Sequence, residues 1–269
     1  MGEVISVSYS RIKLWRKCQY AHYLRYVKKI KKKTKYIPFY VGGLFHQLME
    51  TYWRGEDYNL KVSNLWEDQK KLLPAERDLY RPELEKVLFL ADQYIRHYGK
   101  ERIKISLIEK KYEIDLIPGK VKLVAVIDAI VKTLQGTWLL ERKTAKRLVH
   151  NVDDLKIDPQ PYIYAHMVDF ELDGVIWDFV KTELPKTKKP KPDELFKRHT
   201  LSISPSAIKY HLRNLSNISM EIYNNPEAKN PWMDKFSCPR CDYFKICQSE
   251  ALGTDTQFII RSEYEDKDA

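Results

Sequence analysis

The sequence predicts an α/β protein: a central mixed sheet flanked by helices, with a helical N-terminal region before it and a cysteine-bearing segment after it. Three observations carry this prediction. Apolar residues recur at three- and four-residue steps through most of the first hundred positions, the spacing of amphipathic helices. From Ile105 onward, β-branched stretches alternate with short turn sequences, the mark of strands. A helical run and another strand-like run follow, an order that implies a sheet covered by helices.

Taken in order, Ser8 to about Val27 has helical spacing, with Ile12, Trp15 and Cys18 or Gln19 on one face and Ser8 or Ser10 as the cap. "VGGLFHQLMETYW" predicts a second helix, entered through Gly42 and Gly43. Residues 63 to 99 continue helically, with breaks expected near Pro74 and Pro82. "ISLIEKKYEIDL", "VKLVAVIDAIV" and "WLLERKT" predict three strands joined by the turns "IPGK" and "TLQG". "PQPYIYAHMVDF" predicts a helix and "GVIWDFVKTEL" a strand. "PKTKKPKP" is a basic, proline-rich loop, since proline interrupts regular structure. A helix from about Pro205 to Tyr223, the cysteine segment and an acidic tail complete the chain. The expected organisation is a mainly helical region over 1–100, a core over 101–200, and a C-terminal helix with the cysteine segment over 201–269.

The composition sets limits on function. Of 269 residues, 43% are hydrophobic and 31% charged, as in a soluble globular protein. No run of eighteen apolar residues occurs, and the N-terminus lacks the apolar centre of a signal peptide, so the expected location is the cytoplasm and no membrane is expected as partner. Lys and Arg outnumber Asp and Glu by 47 to 37, for a net charge of +10, which favours a polyanionic partner such as nucleic acid. Only Cys18, Cys238, Cys241 and Cys247 carry thiols. In an intracellular chain, such clustering suggests metal ligands before disulfides.

One strand is unusual. "WLLERKT" is apolar until Glu141 and Lys143, two apart and therefore on one face. If "TLQG" turns between Leu134 and Gln135, Asp128 falls opposite Glu141, with Cβ atoms about 5 Å apart. Two carboxylates so close repel each other unless a cation lies between them. The alternative is that Asp128 and Glu141 mark the solvated ends of two strands; a slip of one residue would put them on opposite faces. His46, just after the glycine pair, offers an imidazole of the kind transition metals use. Gln160 and Tyr164 stand at i and i+4, on one face of a helix.

In this order, Gly42-x-x-x-His46, Asp128, Glu141-x-Lys143 and Gln160-x-x-x-Tyr164 resemble the RecB-type branch of the PD-(D/E)XK nuclease superfamily. Ala125 stands where that family usually has glycine, and no proline precedes Asp128. The resemblance implies the restriction-endonuclease-like core, with His46, Asp128, Glu141 and the backbone carbonyl of Arg142 binding a divalent metal, Mn²⁺ or Mg²⁺. Lys143 would position or activate the attacking water, and Gln160 and Tyr164 would hold the nucleic acid or Lys143. The implied activity is a metal-dependent DNA exonuclease, favouring single-stranded ends, in DNA repair, recombination, phage DNA metabolism or CRISPR adaptation, where protein partners are also expected. The alternative is a non-catalytic nucleic-acid-binding or assembly subunit on the same fold.

Cys238-x₂-Cys241-x₅-Cys247 is one ligand short of a four-coordinate site, and Cys18 is the remaining cysteine. Four thiolates suit an iron–sulfur cluster or structural zinc. The one-plus-three layout resembles that of the 4Fe–4S-bearing members of the same branch, among them CRISPR-associated exonucleases, AddB-like proteins and phage exonuclease relatives. The basic runs Lys28–Lys35 and Lys186–Lys191, including Lys31, Lys32, Lys33, Lys188 and Lys189, are candidates for phosphate contact. Trp15 and Tyr20 are candidates for base stacking, although aromatics at helical spacing are more often core.

Overall fold

The structure is a computed structural model that describes residues 3–34, 36–99, 103–148, 152–185, 187 and 189–266. In chain order the elements are β1 (Ile5–Val7), α1 (Tyr9–Lys17), α2 (Gln19–His22), a π-helical turn at Tyr23–Val27, β2 (Ile30–Lys32), α3 (Ile37–Arg54), α4 (Tyr58–Lys70) and α5 (Pro74–Tyr98). The strands β3 (Lys104–Ile117), β4 (Val121–Thr133) and β5 (Gly136–Ala145) follow. Then come α6 (Asp153–Lys156), α7 (Gln160–Met167), β6 (Gly174–Lys181), α8 (Pro192–Leu195), β7 (Phe196–Ser202) and α9 (Pro205–Asn224). A short 3₁₀ turn at Cys238–Arg240 precedes α10 (Phe244–Leu252), α11 (Thr256–Glu263) and β8 (Tyr264–Asp266).

The chain packs as two units, one of Met1–Lys35, Glu113–Ala125 and Leu212–Ala269, the other of Tyr36–Tyr112 and Val126–His211. In the first, β1 runs parallel to the opening of β4, with Ile5 opposite Val121. β2 and β8 make a short antiparallel pair. Its helices enclose a small core of Tyr20, Tyr23, Leu24, Tyr243, Ile246 and Tyr264.

The second unit holds the mixed sheet. β4 is antiparallel to β5, β5 parallel to β6, and β6 antiparallel to β7. A parallel pair needs a crossover, and α6 and α7 lie in the chain between β5 and β6 to supply it. Helices α3, α4 and α5 pack Leu44, Phe45, Leu48, Leu84 and Leu90 into one core with Val180 and Phe196 of the sheet.

Several details depart from the sequence expectation. The glycine pair does not open α3. Pro38 sits in its first turn and the pair lies inside the helix, where a Cβ on Gly42 would stand 3.1 Å from Thr144 Oγ1. The glycine lets α3 come close to β5. Pro82 does not break α5, which runs through it. The strands β1, β2 and β8, three residues each, and β7, a half-polar run at the end of the sheet, were not anticipated.

Candidate active site

The hairpin β4–β5 builds the centre of the site. Its ladder runs from Thr133 opposite Gly136 to Ala129 opposite Leu140, and the same count sets Asp128 opposite Glu141. Beyond the last pair of the ladder, Asp128 takes over the backbone. Its Oδ2 accepts the N–H of Arg142 at 2.9 Å. Both carboxylates are withdrawn from solvent, Asp128 at 8% exposure and Glu141 at 2%.

Helix α7 faces Glu141. Glu141 Oε1 accepts from Lys143 Nζ at 2.5 Å and from Gln160 Nε2 at 2.7 Å. Lys143 Nζ also donates to Gln160 Oε1 at 2.8 Å, and Gln160 Nε2 donates to Tyr164 Oη at 2.9 Å. The i, i+4 spacing of Gln160 and Tyr164 thus serves a single chain of hydrogen bonds. Glu141 Oε2 has no hydrogen-bond partner. Burial, then the Asp128 carboxylate, push the Glu141 carboxyl up to about 7, against the pull of Lys143 and His46. Burial alone would lower the Lys143 ammonium, but Glu141 outweighs it and the net shift is upward.

Helix α3 brings His46 to the other carboxylate. His46 Nδ1 lies 3.4 Å from Asp128 Oδ1 and 3.3 Å from Glu109 Oε1. Burial lowers the imidazole's pKa, but the bond to Glu109 and the charge of Asp128 overcome it, for a net rise. Glu109, on β3, had no sequence signal: it is one acid among many in an alternating strand. Its backbone is distinctive, with φ at +42°, a left-handed conformation that costs a non-glycine residue about 1–3 kcal/mol.

Arg142 points away from Glu141 and Lys143. Its side chain is buried, with the guanidinium 4.1 Å from the centre of the Trp53 ring. Its register partner on β6 is Asp178, fully buried, which accepts hydrogen bonds from Tyr94 Oη and from Arg198 at 3.1 Å. This buried polar group lies in the same unit as the carboxylates and was not foreseen from the sequence.

A helix donating one imidazole, a hairpin donating two acids and a lysine, and a second helix fixing that lysine make a site suited to cation-assisted phosphate chemistry. Sequence comparison identifies the family. The profile of the PD-(D/E)XK nuclease superfamily matches residues 6–248. The chain belongs to the PD-(D/E)XK nuclease superfamily. A solved structure described as a "Putative exonuclease" from Eubacterium rectale aligns at 12% identity over 88% of this chain and 87% of that one, with a TM-score of 0.52. That likeness is one of fold. A second structure, SSO0001, is 18% identical over 77% of this chain and 84% of its own, with a TM-score of 0.32. No curated protein sequence matches the chain.

In this PD-(D/E)XK nuclease, the four cysteines come together in the first unit. Cys18 takes an extended backbone between α1 and α2, and Cys18, Cys238, Cys241 and Cys247 line one largely apolar cavity of about 380 Å³. Burial raises the pKa of Cys241, and burial followed by the neighbouring cysteines pushes Cys247 up to about 12.

The expected nucleic-acid contacts fare differently. Trp15 is 3% exposed and its indole N–H donates to Glu221 at 3.3 Å. Tyr20 is 9% exposed and donates to Glu250 at 2.5 Å. Both rings are core, with no free face for a base. Lys31 pairs with Glu265 at 3.4 Å, and Lys33 donates to the carbonyls of Arg261 and Ser262 at 2.8 and 3.1 Å. The acidic tail and the end of α11 therefore occupy two of these lysines. Lys32 is half-buried, Lys189 is exposed, and Lys188 lies outside the described residues. No described helix is long and apolar enough to cross a membrane.

Proposed function

We propose that this protein is a divalent-metal-dependent deoxyribonuclease, an exonuclease acting on single-stranded ends, in DNA repair, recombination, phage DNA metabolism or CRISPR adaptation. The observation that carries the reading is the linked set of Asp128, Glu141, Lys143 and Gln160, with His46 against Asp128. The donor set fits a cation. Two buried acids face each other, one oxygen of Glu141 is unpartnered, and an imidazole stands at their side. His46, Asp128, Glu141 and the Arg142 carbonyl would hold Mn²⁺ or Mg²⁺. When bound, the cation would polarise the scissile phosphate and acidify its water. Lys143, fixed by Glu141 and Gln160, orients the attacking water and offsets charge gathering on the phosphoryl oxygens. Tyr164 and Gln160 keep the lysine from swinging into solvent.

The cysteine cavity suits an iron–sulfur cluster held by Cys18, Cys238, Cys241 and Cys247. Burial, and after it the neighbouring cysteines, disfavour the thiolate forms of Cys241 and Cys247, a cost that a cationic centre bound by them would offset. Among the described residues, His46, Glu109 and Asp128 form the one group of three ligands within 4.8 Å.

The test is direct. Purified protein with Mn²⁺ should shorten end-labelled single-stranded DNA, and Asp128→Ala, Glu141→Ala and Lys143→Ala should each reduce the rate by about 10²-fold or more. DNA binding without cleavage in any divalent metal would instead mark a non-catalytic subunit.

A further inference from the structure

We propose that Glu109 is a direct ligand of the divalent cation, which would sit among His46, Glu109 and Asp128 with the free oxygen of Glu141 turned toward it. This rests on the reading of the site as a metal-dependent nuclease centre and adds a ligand from a third strand. Ligand atoms of His46, Glu109 and Asp128 all lie within 4.8 Å of one another. His46 Nδ1 stands at nearly equal distance, 3.3 and 3.4 Å, from the two carboxylates. At these lengths one N–H shared between two carboxylates makes two weak bonds, whereas a cation can bind the imidazole and both acids at once.

A separate observation points to the same ion. Glu141 is 2% exposed and its Oε2 accepts no hydrogen bond. Its Oε1 is already taken by Lys143 and Gln160. A buried carboxylate oxygen without a donor is expensive, and the hairpin register sets Glu141 opposite Asp128. The charges also balance. Glu109, Asp128 and Glu141 contribute three negative charges, Lys143 returns one, and a ligating His46 is neutral. The remaining two negative charges match one divalent cation. One imidazole with several carboxylate oxygens suits Mn²⁺.

Mn²⁺ titration of the cluster-loaded full chain, dialysed free of other divalent ions and without DNA, followed by loss of the free Mn²⁺ electron-paramagnetic signal, tests this. Glu109→Gln should weaken Mn²⁺ binding about ten-fold or more, with the circular dichroism of the Mn²⁺-free chain unchanged. Should glutamine unsettle the strand, Glu109→Gly, which the backbone at this position accepts, gives the same comparison. Binding in either folded variant within about two-fold of the parent overturns the role of Glu109 alone, provided Asp128→Ala abolishes binding. Absent binding in the parent chain overturns both this proposal and the metal-dependent reading on which it rests.

Discussion

Glu109 and Glu141 differ in how far the sequence announces them. Glu141 interrupts an apolar strand and shares a face with Lys143, so spacing alone marks it, and counting across the "TLQG" turn reaches Asp128. The structure keeps that register and adds that Asp128 holds the Arg142 amide, a contact no residue count contains. Glu109 meets His46 from a point where β3 takes a left-handed step, and nothing in "IEKKYEI" foretells the step. The strain gives a residue-scale prediction. Glu109→Gly and Glu109→Ala both remove the carboxylate, but glycine accepts φ at +42° without a Cβ penalty. In metal-free denaturant titrations the glycine variant should be the more stable by about 1 kcal/mol. Equal stability would mean that the strand relaxes freely once the side chain is gone.

Among the elements, those with long apolar periods were legible: α3, α5, α9 and the strands β4, β5 and β6 fall where the sequence puts them. Elements set by distant partners were not. β2 and β8 are three residues each and exist through each other, and Gly42 of α3 answers to Thr144 rather than to a helix start. The packing of α1 on α2 carries its own prediction. His22 is fully buried between Trp15 and Tyr26, and its Nε2 accepts from Arg11 Nε at 3.0 Å. Burial, then the charge of Arg11, lower its pKa from 6.5 to about 4. Between those values the unfolded chain binds the proton and the folded chain does not. Stability from this group is therefore complete above pH 6.5 and falls as pH drops toward 4, by on the order of 3 kcal/mol. His22→Gln should flatten that part of the stability profile relative to the parent. Parallel profiles would show that His22 is protonated in the folded state.

At the scale of the whole molecule, the cysteines gather sequence positions from both ends of the chain into one packing unit. That unit takes Met1–Lys35 and Leu212–Ala269, and Cys18, Cys238, Cys241 and Cys247 line its cavity. The sequence disclosed the four thiols and their one-plus-three layout; the meeting of Cys18 with the others depends on the extended break between α1 and α2, which only the fold supplies. A metal centre there would close a loop of about 220 residues, and long closures remove the most chain entropy from the unfolded state. An anaerobic preparation should be brown, with about four iron atoms per chain. Cys18→Ala should lose the colour and expose the first unit to protease and to hydrogen exchange. The sheet of the second unit should stay protected, because its core of Leu48, Leu84 and Leu90 with Val180 takes nothing from the cysteines. Retained iron in Cys18→Ala would remove Cys18 from the ligand set. Simultaneous loss of protection in β4, β5 and β6 would instead make the cluster a support of the second unit's sheet.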